Sequence, residues 1–257
     1  MEDALQQQLK TEFLESATDQ LDQVQASIDG IVDGSRTPDA ALTDIRRNAH
    51  AIKGTAGNFG FPLVATIAHR LEDFLDGETT LDAPLARKVE AFTDGMREIL
   101  DTGREPAAKE ADELLRGLPV KQQAAEDLEI TVLDVEVLLG TPSRTSARMV
   151  RDVLQNCGYR VVRAETGIDC FTLAMRSRPD AMILALTLEE VSGGELARAF
   201  DAMPSMTHVP TAILTSFEPG NPQLAQLPAN VTVVRTKKTH FDDDMGAFLA
   251  RIQAEAL

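Results

Sequence analysis

The sequence predicts two domains: an all-α up-and-down helical bundle, then an α/β doubly wound sheet of five parallel strands. Over residues 1–118, apolar side chains recur at spacings of three and four, the repeat of amphipathic helices. From Leu128 the pattern changes to apolar runs of strand length alternating with helical stretches, and such a β-α repeat implies a parallel sheet covered on both faces. Between them, Gly117, Pro119 and the polar run K-Q-Q-A-A-E-D mark a linker, so domains are expected at 1–118 and 128–257 with the linker over 119–127.

In the first half, Leu5, Leu9, Phe13, Ala17, Leu21, Val24 and Ile28 form the stripe of one long helix from residue 2 to about 32, ended by Gly30 and Gly34. Thr37-Pro38-Asp39 offers an N-cap followed by proline at the first helical position, and opens a helix running to about Asn58. Pro62 opens a third, with Val64, Ile67, Ala68, Leu71, Phe74 and Leu75 as its stripe. Asp82 and Pro84 start a fourth that ends at Gly103, and residues 106–116 make a short fifth. In the second half, strands are expected at 135–140, 159–164, 181–186, 210–215 and 231–235, with helices near 144–156, 168–176, 194–202 and 241–256.

The chain carries a formal net charge of −16. Through Asp127 it holds 25 Asp+Glu against 13 Lys+Arg, a net of −12, and the remainder holds 16 against 12, a net of −4. A −12 domain repels phosphate backbones and anionic lipid, which argues against nucleic acid and membrane as partners and for other proteins. Cys157 and Cys170 form no C-x-x-C pair and read as small apolar fillers in a reduced compartment. No run of about 18 apolar residues occurs, and the opening M-E-D-A-L-Q-Q-Q lacks a basic segment followed by an apolar one. A soluble, cytoplasmic, bacterial-style protein is expected.

The stretch from Asn48 to Gly60, N-A-H-A-I-K-G-T-A-G-N-F-G, is the centre of the functional reading. At about 100° per residue, His50, Lys53, Gly54 and Gly57 fall in one narrow arc, while Leu42, Ile45, Ala49, Ile52, Ala56 and Phe59 fall on a neighbouring buried arc. His50 should therefore stand at the edge of the core and be reachable from outside. Each glycine disfavours a helix interior by roughly 1 kcal/mol against Ala, and what the pair provides is room for another protein's backbone to approach the ring. Glu72 lies on the shoulder of the third helix's stripe beside Ala68, so antiparallel packing of the two helices lets it face His50. Two other readings of these residues stay open: a structural histidine beside a solvated lysine, and a metal site with His50, His69 and Glu72 as ligands.

The pattern H-x-x-K-G-x-x-G resembles the histidine phosphotransfer (HPt) domain, in particular that of chemotaxis-type histidine kinases, and A-H-R-L-E-D (Ala68 to Asp73) is similar to the family's second signature. The resemblance implies that His50 is a phosphoacceptor, that Glu72 holds its second ring nitrogen, that Lys53 neutralises the incoming phosphoryl oxygens, and that His69 extends the network. It implies a passive carrier without its own cofactor, whose partners are a histidine kinase or hybrid-kinase receiver and a response-regulator receiver. Mg²⁺ is expected only on the partner receiver.

Residues 134–257 resemble a response-regulator receiver, with C-G-Y-R-V-V-R-A at the second strand, P-D-A-M-I-L-A-L at the third, H-V-P-T-A-I-L-T-S at the fourth and R-T-K-K after the fifth. Receivers bind Mg²⁺ through an acidic pair after the first strand and take phosphate on an aspartate ending the third. Here those places hold Gly140-Thr141-Pro142 and Ala185, so a pseudo-receiver is expected, with Thr215 and Lys237 as remnants. Asp180 and Glu189-Glu190 are the acids nearest in sequence to the lost site. His208 and His240 are expected in loops. Three prolines and a glycine in 219–228, where a receiver places its fourth helix, argue that this helix is shortened or lost. Arg144, Arg148 and Arg151, spaced along the first helix of this half, suggest a contact that covers His50, and the alternative, that this half merely tethers or dimerises, stays equally open. The function expected is a phosphorelay intermediate with a regulatory pseudo-receiver. The rivals are an adaptor whose domains only bind partners and a phosphatase draining phosphate from a receiver.

Overall fold

The structure, a computed structural model, describes residues 2–120 and 133–255. The chain divides after Val120 into two compact units. Of the linker expected over 119–127, residues 121–127 lie outside the described residues, as do residues 128–132 of the second domain.

The first unit is built from α1 (Glu2–Val32), α2 (Pro38–Ala56), α3 (Pro62–Leu75), α4 (Ala83–Thr102) and α5 (Ala108–Gly117). α1 packs on α2, α2 on α3 and α3 on α4, and α4 closes the bundle against α1. Phe13, Ala17, Leu21, Val24 and Ile28 of α1 meet Leu42, Ile45, Ala49 and Ile52 of α2 and Val64, Ile67 and Leu71 of α3 in one buried core. Each such Phe, Leu, Ile or Val side chain contributes about 1.5–3 kcal/mol through burial, and the alanines less. Leu9, expected in the stripe, is exposed instead; the side chain of Leu5 lies outside the described residues. Gly30 does not end α1 but lies within it, and the reversal falls at Gly34, whose φ of 77° is left-handed. Thr37 occupies the N-cap of α2 but makes no side-chain cap bond; its hydroxyl bonds Asp39 and lowers that carboxyl's pKa. Leu118 is buried in the bundle core.

The second unit is a parallel sheet of β1 (Glu136–Gly140), β2 (Arg160–Ala164), β3 (Ala181–Ala185), β4 (Thr211–Thr215) and β5 (Thr232–Arg235) in the order β2-β1-β3-β4-β5. Alternation along the strands feeds two cores. Val137, Leu139, Ile183 and Leu214 face α6 (Arg144–Asn156) and α9 (Lys238–Glu255), whereas Leu138, Met182, Leu184 and Ile213 face α7 (Gly167–Ser177) and α8 (Gly193–Ala202). This is the doubly wound flavodoxin-like order, which places a ligand crevice beyond the carboxyl ends of β1 and β3, where the winding reverses. Between β4 and β5 only a single 3-10 turn, Leu224–Gln226, stands in the proline-rich segment. His240 lies in the first turn of α9 rather than in a loop, since that helix begins three residues earlier than expected.

Candidate functional site

α2 and α3 bring three ionisable side chains together at the bundle surface. Ile45, Ala49, Ile52 and Ala56 anchor α2 in the core, which turns His50 outward with 75% of its side chain exposed. Glu72 of α3 reaches across with both oxygens: Oε1 lies 2.8 Å from His50 Nδ1, and Oε2 lies 2.6 Å from Lys53 Nζ. Since an ionised carboxylate only accepts, the His50 contact fixes the proton on Nδ1 and leaves the Nε2 lone pair for chemistry. Lys53, expected to face an incoming phosphoryl group, is thus paired within the site, and it holds the second Glu72 oxygen while Oε1 holds the ring.

Sequence reasoning missed Arg46, one turn before His50. Its guanidinium donates to the backbone carbonyls of Leu75 and Glu78, the second at 2.8 Å, and so ties α2 to the C-terminal end of α3. His69 lies one turn before Glu72 on α3 and is half-buried. Among the described residues no three His, Cys, Asp or Glu side chains are placed to hold a metal ion, so His50, His69 and Glu72 do not form the alternative metal site. Gly54 and Gly57 are exposed, a Cβ on either would meet nothing within 4 Å, and Gly57 has ordinary right-handed helical angles. Neither crowding inside the bundle nor backbone conformation requires glycine there.

At the carboxyl ends of β1 and β3 the chain carries Gly140, Thr141 and Ala185. A Cβ on Gly140 would lie 2.4 Å from Cys170 Sγ and 3.0 Å from Leu184 Cδ2, with Leu188 Cδ1 at 3.7 Å, so apolar groups and a thiol pack directly against this glycine. Burial pushes the Cys170 thiol up to about 12, with Asp169 adding to the shift, so it is a neutral filler and not a nucleophile. Cys157, by contrast, is exposed. Arg163 of β2, 4% exposed, donates from one guanidinium nitrogen to the carbonyls of Thr141 and Pro142 at 3.3 and 3.4 Å and lies 3.1 Å from Glu165. Thr215 Oγ accepts the Phe217 N–H at 3.1 Å. Lys237 is ion-paired with Glu218, whose carboxyl it holds below the usual range.

Asp180 is removed as a substitute acid because it precedes β3, roughly 16 Å of strand from Ala185; there its carboxylate accepts the Glu136 N–H at 2.7 Å. Glu189 and Glu190 are exposed on the loop after β3. Arg151, expected on a contact surface with Arg144 and Arg148, is buried. Its place one turn after Ala147 on α6 faces the sheet.

The sequence over residues 8–104 matches the family described as "Hpt domain". Residues 8–104 are an Hpt domain. The C-terminal part is similar to response regulators: the polar-differentiation response regulator DivK of Brucella anthropi is 27% identical over 81 residues, 32% of this chain and 66% of that protein. Its counterpart from Brucella ovis is 26% identical with the same coverage. This chain therefore spans just under two thirds of the length of these relatives. Among solved structures, the receiver domain of a signal transduction histidine kinase from Syntrophus aciditrophicus is similar with a TM-score of 0.41 and 20% identity, covering 47% of this chain and 90% of that one. The chemotaxis response regulator CheY4 of Vibrio cholerae is similar with a TM-score of 0.39 and 24% identity, over 46% and 98%. The chain thus joins an Hpt domain to a receiver-like fold. Among the described residues no helix is long and apolar enough to cross a membrane.

Proposed function

We propose that the chain is a phosphorelay intermediate that accepts and donates a phosphoryl group on His50. The observation that carries this reading is an imidazole three-quarters exposed with its Nδ1 held by a carboxylate. Nε2 attacks the phosphorus of a phosphoryl donor, a kinase-bound nucleotide or a partner's aspartyl phosphate. The N–P bond forms as the bond from phosphorus to the donor oxygen breaks, and the donor leaves with that electron pair. The ring becomes cationic in this step, and Glu72 stabilises that charge through Nδ1–H while Lys53 keeps the carboxylate oriented. The reverse step passes the group to the next acceptor. Gly54 and Gly57 leave the flank of the ring open to the partner's backbone. Any Mg²⁺ for the reaction belongs to the partner receiver.

We propose further that the second unit is a pseudo-receiver, which takes no phosphoryl group and binds partners or regulates access. Its crevice does not fit the divalent cation that receivers use. Gly140, Thr141 and Ala185 supply no carboxylate, and the buried Arg163 guanidinium already occupies the Thr141 and Pro142 carbonyls with a positive charge. The protein is expected to be cytoplasmic.

Incubation with a radiolabelled phospho-receiver tests the reading: the parent protein should take up acid-labile, alkali-stable label and His50→Gln should take up none. Full labelling of His50→Gln overturns the assignment. Partner binding without any label in the parent favours an adaptor instead.

A further inference from the structure

Glu72, the carboxylate that holds the His50 ring, stands in the last turn of α3, which ends at Leu75. The last four carbonyls of a helix, here those of residues 72–75, have no partner within it, so this is a turn prone to fray. A carboxylate placed there fixes an imidazole only if something outside the helix fixes the turn. Leu71, Phe74 and Leu75 bury one side of it in the bundle. Such apolar contacts are non-directional: they hold a face inward without setting the position of the turn to a fraction of an ångström.

Arg46 supplies a directional hold. One of its guanidinium nitrogens donates to the Leu75 carbonyl, three residues after Glu72, and at 2.8 Å to the Glu78 carbonyl beyond the helix end. The Leu75 carbonyl also accepts the Glu78 N–H at 3.1 Å, across a turn that Gly77 makes with a φ of 80°. One cation therefore gathers both the end of α3 and the turn that follows, and a positive charge is favoured at the carbonyl end of a helix. On α2, Arg46 stands one turn before His50, and both reach toward α3. Since Arg46 meets Leu75 while His50 meets Glu72, the two contacts keep one antiparallel register. The targets of Arg46 are main-chain oxygens, which move only if the backbone moves.

We propose that Arg46 is a positioning residue for His50: by pinning the last turn of α3 to α2, it holds the Glu72 carboxylate where it keeps the ring proton on Nδ1. Arg46 acts through Glu72 and not on the reacting nitrogen. Fixing the tautomer needs a short, well-aligned hydrogen bond, and such bonds weaken steeply with misalignment. In transfer chemistry a misplacement of about 1 Å is enough to slow a reaction by roughly 100-fold. The consequence for rate rests on the reading of His50 as phosphoacceptor. The consequence for the ring does not.

Nitrogen NMR of the full chain, labelled with ¹⁵N at histidine and held at a pH where the ring is neutral, reads the tautomer directly. In the parent, His50 should show one form, with the proton on Nδ1. Arg46→Met keeps a long apolar stem and removes the donors. It should show both tautomers in exchange while its circular dichroism matches the parent. Phosphotransfer from a radiolabelled phospho-receiver should slow by about 10-fold, the low end for outer partners of functional histidines. The loss should fall on the rate at saturating donor and leave the half-saturating donor concentration unchanged, because the docking surface is intact. Arg46→Lys retains a donor and should recover part of both effects. A single Nδ1–H tautomer in Arg46→Met overturns the proposal, as does a parent ring that is already mixed. A tautomer change that comes only with a loss of helix content also overturns it, since Arg46 would then hold the fold and not the ring. A parent that takes up no label refutes the phosphoacceptor reading alone, and the tautomers still decide on Arg46.

Discussion

At His50 the bundle keeps three ionisable side chains together at the surface and binds them through one carboxylate. At the carboxyl ends of β1 and β3 the sheet does the reverse: a glycine under a buried thiol, two leucines against it, and a buried guanidinium on the neighbouring carbonyls. The first arrangement leaves a nitrogen lone pair exposed and oriented; the second has no carboxylate on Gly140, Thr141 or Ala185. In unit 1 the three ionisable side chains stand at the surface, with packing left to a separate stripe of the same helices. In unit 2 Gly140 at the end of β1 is packed against Cys170, Leu184 and Leu188, and a doubly wound sheet does not need its crevice in order to be stable.

The largest effect follows from trying to undo that packing. Gly140→Asp, which restores an acid at the end of β1, should destabilise the second unit by at least about 1–3 kcal/mol through overpacking against Cys170, before any penalty for the buried carboxylate. Thermal unfolding should shift down and calorimetry should show no gain of Mg²⁺ binding. A variant that melts like the parent and binds Mg²⁺ would erase the contrast between the two sites.

Much of this was legible in the residues. The apolar stripe of α2 and the arc shared by His50, Lys53, Gly54 and Gly57 follow from spacing alone, and so do the five strands, because local period determines both. What escaped depends on side chains meeting across elements. Lys53 pairs with a carboxylate on another helix, and Arg46 caps a helix 29 residues on. Arg163 sits in V-V-R-A, where a strand pattern gives no sign that its long side chain folds back under the β1 turn. Leu9 and Arg151 failed for the same reason: a stripe specifies a face, while burial depends on how far the neighbouring element reaches.

Glu72→Ala comes next in size. Freed from its acceptor, the His50 ring loses a fixed tautomer and the carboxylate that stabilises its charge, so phosphotransfer should slow by about 10- to 100-fold with the bundle still folded, as judged by circular dichroism. Lys53→Ala, which only loosens the carboxylate, should have a smaller effect in the same rapid-quench assay. An unchanged rate in Glu72→Ala would remove the basis for calling this site organised.

Gly54→Leu separates partner access from stability. With open space around the Cβ position, the variant should gain up to about 1 kcal/mol of helix stability while phosphotransfer from a protein donor slows. Equal transfer rates in parent and variant would return Gly54 to an incidental role.

The smallest effect concerns a charge that serves only the fold. The Arg235 guanidinium holds Asp244 through two side-chain bonds of 2.7 and 2.8 Å and keeps its carboxyl below the usual range. A lowered folded pKa means the stabilisation is fully present above the ordinary aspartate value near 4. It is lost as pH falls through the lower folded value. Asp244→Asn should therefore lower the melting temperature of the second unit at neutral pH, and the gap to the parent should close on acidification below about pH 4. A gap constant with pH would mean the pair contributes through packing alone. Phosphotransfer to His50 should be untouched.

The division of labour itself is tested most directly by locating the phosphoryl group in the intact chain. Full-length protein labelled from a radioactive phospho-receiver, then digested and mapped by peptide, should carry all its label on the peptide containing His50. That label should be lost in acid and retained in alkali, as befits a phosphoramidate. Alkali-labile label on any peptide from residues 133–255 would show that the second unit accepts phosphate after all, and would contradict the account.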